Sequence, residues 1–273
     1  MKIVLLDLDN TLIDADYNIN ATVEELRSLA EELSKRDVQI GLCSDSALIT
    51  LKQWAGCFGF TGPIISERGA VILYPDNPIE EVDPFLADGW FRELRELFIK
   101  RIMRDFPGAT IFIGDATSFV KNQVVNAAMT KQIFAVNGFR IASFSFFTRR
   151  LKLDHRLLVP DPELLVQANR IVHEILESCG KSPRNFFWDE NLPQSILIAH
   201  AISTEKRRGI STLIDRLKPD QTIMIGDSMS DFLGLSCVSQ FAVNNADPNY
   251  KAKSVFVSKS PLTKGVIECL KQI

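Results

Sequence analysis

The chain has 273 residues, 46% of them hydrophobic, and a formal net charge of −3 at pH 7. That length admits one large domain or two of ordinary size, the apolar content excludes a disordered chain, and the near-neutral balance supplies no general attraction to nucleic acid or anionic membrane. Five cysteines without a CxxC pair indicate neither a disulfide framework nor a zinc site, and the expected compartment is a reducing cytoplasm.

The first predicted element is the strand Ile3–Leu6, a continuous aliphatic run suited to a central strand buried on both faces. Asp7 cuts this run too early for a signal peptide, and no later run approaches the roughly 18 residues of a membrane span. A soluble protein is expected. Asp7 falls at the carboxyl end of the strand, where open parallel sheets bind ligands, and Asp9 follows two positions on. A strand followed by an Asx turn would explain this pair by itself. Residues 20–37 predict a helix capped by Asn20 or Thr22, with Val23, Leu26, Leu29, Ala30 and Leu33 on one face. A second buried strand follows at 38–44, ending at Ser44, then a helix at 46–58 and two strands around a tight turn near Gly69. Strand and helix alternating in this way imply a parallel sheet with right-handed crossovers.

Residues 80–198 have a different texture, with strand-like runs at 109–114, 132–138 and 140–147 and long helical patterns at 88–105 and 161–179. Most of the 18 phenylalanines lie here, and the run FSFF is read as core. This middle segment is expected to be an inserted α+β unit with a mainly antiparallel sheet. The earlier rhythm then returns: helix 209–217, strand 222–227, helix 231–238, strand 240–245 and a closing helix at 265–273. Residues 1–79 and 199–273 therefore form one core domain, and 80–198 an insertion within it.

A second acidic pair, Asp227 and Asp231, stands just after the strand at 222–227. With Asp231 opening the next helix as its N-cap, both carboxylates face the sheet end that carries Asp7 and Asp9. Four carboxylates gathered there repel one another, and a hard divalent ion with oxygen ligands, Mg²⁺, relieves the conflict. Gly114 and Asp115 imitate this pattern, but Phe119 stands where the second acid would be, so that stretch is read as an ordinary strand and turn. His155, His173 and His200 show no ligand spacing and are read as structural or exposed.

Taken in order, these segments resemble the haloacid dehalogenase superfamily, in the group with a large, C2-type cap inserted after the second motif, similar to its Cof-type, sucrose-phosphatase and mannosyl-3-phosphoglycerate phosphatase-like members. DLDNT matches the family's DxDxT motif, IGLCS its second motif ending at Ser44, and GDSMSD its acidic fourth motif. The third motif is a single lysine; Lys206 fits best, with Arg208 as the rival assignment. The resemblance implies an α/β fold, a Rossmann-like parallel sheet core with an inserted α+β cap domain. It also implies that Asp7 is a nucleophile, that Asp9 is the acid and then the base, and that Asp7, the Asp9 carbonyl and Asp227 hold Mg²⁺ with support from Asp231. Ser44 and Lys206 would hold phosphate oxygens, with Lys206 also paired to Asp7. Asp45 stands where many capped relatives carry a basic residue, and Asp45 and Arg68 are further candidates for contact with substrate. The implied activity is a Mg²⁺-dependent phosphatase for a small phosphorylated metabolite, a sugar phosphate or a phosphoglycerate-like acid. A phosphomutase and a catalytically silent metabolite-binding protein are the alternatives.

Overall fold

β1 (Lys2–Leu6) carries the aliphatic run at 3–6, and all four of those side chains are fully buried, as a strand covered on both faces requires. The computed structural model describes residues 1–76, 78–81, 89–123, 129–152 and 157–273, so His155 lies outside the described residues. α1 (Val23–Ser34) begins at Thr22, whose hydroxyl accepts the Glu25 N–H at 3.1 Å. Thr22 is the cap; the Asn20 amide instead donates to the Pro261 carbonyl at 2.9 Å. Leu26, Ala30 and Leu33 form the buried face of α1. β2 (Val38–Cys43) lies parallel to β1, α2 (Leu48–Phe58) follows, and β3 (Ile64–Ser66) lies parallel to β2. A tight turn at Glu67–Gly69 sends β4 (Val71–Leu73) back antiparallel to β3, and β5 (Ile79–Glu81) pairs antiparallel to β4.

The middle of the chain builds a separate six-stranded sheet. Its elements are α3 (Trp90–Asp105), β6 (Thr110–Gly114), α4 (Ala116–Lys121), β7 (Gln132–Asn137), β8 (Ser143–Lys152), β9 (Leu157–Pro160), α5 (Pro162–Ser178), β10 (Phe186–Asn191) and β11 (Ile196–Ala201). The strand order is β10-β11-β8-β7-β6, with β9 against β8, and among the described residues of this second sheet β6 with β7 is the one parallel pair. Phe144 and Phe146 of the FSFF run are fully buried, with ring centroids 5.1 and 4.7 Å from that of Phe98 on α3. Aromatic packing, not exposed stacking, is their role. The expected strand and turn at 111–120 also contains a short helix, because the Asp115 carboxylate accepts the Ser118 N–H at 2.9 Å and caps α4.

The chain then returns through α6 (Lys206–Leu217), β12 (Gln221–Gly226), β13 (Val238–Ala242), α7 (Pro248–Lys253), β14 (Phe256–Val257) and α8 (Leu262–Leu270). Both ends share one sheet of order β14-β13-β12-β1-β2-β3-β4-β5, parallel from β14 to β3. This is an α/β fold with a Rossmann-like core. Two compact units result, residues 1–82 with 204–273 and residues 83–203. β11 runs to Ala201 and pairs residue by residue with β10, which carries the second sheet past residue 198. Among the described residues no helix is long and apolar enough to cross a membrane.

The helix expected at 231–238 is absent. A single 3-10 turn at Met229–Asp231 is followed by extended backbone at Phe232 (ψ 107°) and by Gly234 in the left-handed region (φ +60°). The apolar spacing that suggested a helix reflects a buried loop leading into a strand: Leu233 of the loop and Val238, the first residue of β13, pack in the same core cluster as Leu5, Ile210 and Met224.

Candidate active site

Parallel neighbours deliver their following residues to the same end of a sheet. β1 and β12 pair with Leu6 opposite Ile225, so Asp7 and Asp227 emerge side by side, and the Asp7 N–H donates to the Ile225 carbonyl at 2.9 Å. The chain passes from β1 to β2 on one side while β12 lies on the other, so the strand order reverses at β1. Such a point opens a crevice at the carboxyl ends of the strands.

Lys206, the first residue of α6, is buried, and its Nζ donates at 2.7 Å to Asp7 Oδ1 and at 2.7 Å to Asp231 Oδ1. Arg208 is exposed, so the lysine is the side chain that reaches the carboxylates. Asp231 is fully buried at the third position of the 3-10 turn, where its Oδ2 accepts the N–H groups of Asp227 at 3.1 Å and Ser228 at 3.2 Å. With Ser228 as N-cap this forms a capping box, so Asp231 closes the turn instead of opening a helix as its N-cap. Thr11 Oγ1 lies 3.4 Å from Asp7 Oδ2 and 3.3 Å from Asp227 Oδ1, joining the two acidic segments.

Asp9 is exposed on the turn that follows β1, where Asn10 takes a left-handed φ of +58°. The Asn245 amide, 235 residues away, donates to the Asn10 carbonyl at 2.6 Å and its Oδ1 accepts the Leu262 N–H at 3.0 Å, tying that turn to the start of α8. Ser44 is buried at the end of β2; its N–H donates to the Ile65 carbonyl at 3.0 Å and its Oγ accepts the Ser46 N–H at 3.2 Å. Asp45 and Arg68 line a cavity of about 310 Å³ that Lys206 also lines. Sequence reasoning missed Asn245, which no local pattern marks as a partner of Asn10. It also misplaced the capping of Asp231, although the Ser-x-x-Asp spacing at 228–231 carried that signal.

The electrostatics follow from this packing. Burial works against the Lys206 ammonium, but the Asp231 and Asp7 carboxylates outweigh it and hold its pKa well above the ordinary value. Burial, with Asp231 adding to it, raises Asp7 well above the usual carboxylate range against the pull of Lys206. Burial first and Asp231 second push Asp227 up to about 6. One ammonium thus serves three acids whose carboxylate oxygens lie within 4.8 Å of one another. An all-oxygen donor set with surplus negative charge fits a hard divalent cation and not a thiophilic or imidazole-seeking metal.

The sequence pattern of the family described as haloacid dehalogenase-like hydrolase matches residues 4–270. A phosphoglycolate phosphatase from Sulfolobus acidocaldarius is 24% identical over all of this chain and 96% of its own length. Another from Staphylothermus marinus is 22% identical over all of this chain and 98% of its own. A solved structure of a haloacid dehalogenase-like hydrolase from Bacteroides thetaiotaomicron superposes with a TM-score of 0.64 at 16% identity, covering 99% of this chain and 98% of that one, which shows a shared fold.

Proposed function

The chain belongs to the haloacid dehalogenase-like hydrolases, and from that premise we propose that it is a Mg²⁺-dependent phosphatase of a small phosphorylated acid, with Asp7 as nucleophile. The observation that carries this reading is the buried cluster in which Lys206 Nζ lies 2.7 Å from Asp7 while Asp227 and Asp231 crowd the same point. The names of the two archaeal relatives support phosphoglycolate, or a closely related acid, as the substrate.

In this reading the Asp7 carboxylate attacks phosphorus, the bond from phosphorus to the ester oxygen breaks, and an aspartyl phosphate forms. One difficult displacement becomes two easier ones. Asp9, exposed beside the site, gives its proton to the departing alkoxide and then takes one from the water that attacks the acyl phosphate, which frees inorganic phosphate and restores Asp7. Lys206 holds a phosphate oxygen and keeps the Asp7 carboxylate in place, and Ser44 is the second donor, at the carboxyl end of β2. Asp7, the Asp9 carbonyl and Asp227 would hold Mg²⁺, which when bound offsets the charge between the phosphate and its nucleophile. Asp231 acts through its neighbours: one oxygen accepts from Lys206 and the other from the Asp227 and Ser228 N–H groups.

The test is inorganic phosphate release from 2-phosphoglycolate and an aryl phosphate, in Mg²⁺ and in chelator. Release in Mg²⁺ is expected to stop in chelator and to fall more than about 10³-fold in Asp7→Asn. Undiminished release in chelator or in the variant would contradict the reading.

A further inference from the structure

The turn after β3 holds three successive residues with positive φ, Glu67 (+50°), Arg68 (+62°) and Gly69 (+86°). Two of them carry side chains that disfavour this conformation, so the surrounding structure must impose it. The imposing contact is the start of α6. A Cβ at Gly69 would collide with the Glu205 carbonyl, so the turn rests directly on the residue before Lys206. Arg68 is fastened to the same place, its Nε donating to the Thr204 carbonyl at 3.1 Å. Arg68 and Lys206 are thereby set at a fixed offset, and both line the cavity of about 310 Å³.

This cavity is small, at the lower end of the range for ligand sites. Its charged lining is mixed: Arg68, Lys206 and Arg207 face Asp45 and Glu205, and Lys206 is already engaged by Asp7 and Asp231. With so mixed a lining, discrimination falls to directed hydrogen bonds, and a guanidinium fixed at its Nε is held in one plane, the geometry that a carboxylate matches. From these observations we infer that Arg68 determines specificity, receiving the substrate's carboxylate while its phosphate lies at Asp7 and Lys206. The inference rests on the phosphatase reading with its small phosphorylated acid, and adds the residue that recognises the carboxylate of that acid.

The experiment compares kinetics on 2-phosphoglycolate with kinetics on glycerol phosphate and an aryl phosphate, which lack the carboxylate. Arg68→Met removes the guanidinium. Arg68→Asn also removes it, with a residue that accepts the left-handed φ, so the turn survives. Both variants should raise KM for phosphoglycolate about 10- to 100-fold, the loss expected for a charge-assisted hydrogen bond, and leave the other two esters within about twofold. Arg68→Lys should recover part of the loss. Equal effects on all three esters, or none on phosphoglycolate, would overturn the role of Arg68 while leaving the phosphatase reading intact. Failure of the wild-type chain to hydrolyse any of the esters would overturn that reading and the inference with it.

Discussion

Lys206 is the one ammonium among three buried or half-buried acids, and its removal exposes what it balances. Lys206→Met leaves Asp7 and Asp231 buried without their cation, which should cost about 3–5 kcal/mol of stability at pH 7.5 in thermal or urea unfolding. That loss should shrink as pH falls and Asp7, already raised by burial, takes up a proton, and a loss independent of pH would contradict the assignment. Asp227 gives a second test. Its pKa in the folded chain, about 6, is raised from 3.8 by burial and then by Asp231, so the folded state binds this proton more tightly than the unfolded chain does. Its contribution to stability is therefore present below about pH 4 and is lost as pH rises through about 6 when no cation is bound. A divalent ion must displace the same proton, so the apparent Mg²⁺ affinity should climb as pH rises through 6, measured as the Mg²⁺-induced rise in Tm. Asp227→Asn should abolish that rise. The acidic residues were legible in the sequence because each pair sits within five residues of the other, immediately after an apolar strand. Lys206 was harder to single out from EKRR, since only the direction of the first turn of α6 decides which side chain faces β1. At about 100° per residue, Arg207 and Arg208 swing outward and are exposed.

The turn at 67–69 and the helix α6 behave as one piece, because Gly69 meets Glu205 and a Cβ at Gly209 would lie 2.8 Å from the Gly69 carbonyl. Gly69→Ala should destabilise the chain by at least about 1–2 kcal/mol, through both its positive φ and the clash, and should lower phosphate release by displacing Lys206. Gly56→Ala is the control: it lies within α2 with open space around it, and should stabilise by about 0.5–1 kcal/mol without changing activity. Equal behaviour of the two variants would refute the coupling. The strand and helix rhythm of the core was legible wherever burial and periodicity agreed, as in α1, where Leu26, Ala30 and Leu33 form one face. It misled at 231–238. There Phe232, Leu233, Leu235 and Val238 have helical spacing, but Gly234 turns the chain and Leu233 is buried from a loop.

Across the whole chain, the two sequence-distant ends meet because β12 and β1 are adjacent strands with a definite register, Lys2 opposite Gln221 through Leu6 opposite Ile225. That pairing is what sets Asp7 beside Asp227, and it was legible only once both ends were read as one sheet. Residues 83–203 form the second unit, whose composition announced strands and a phenylalanine core but carried no motif that marks individual substrate contacts. In the proposed reaction Asp7 becomes phosphorylated and is then regenerated as phosphate leaves. The most direct test of this reaction is acid-quenched turnover of 2-phosphoglycolate in Mg²⁺, followed by mass spectrometry of the peptide that spans residues 3–14. A transient acyl phosphate on Asp7 is expected, absent from Asp7→Asn together with phosphate release. Phosphate release with Asp7 unmodified throughout, or with the label on another residue, would contradict it.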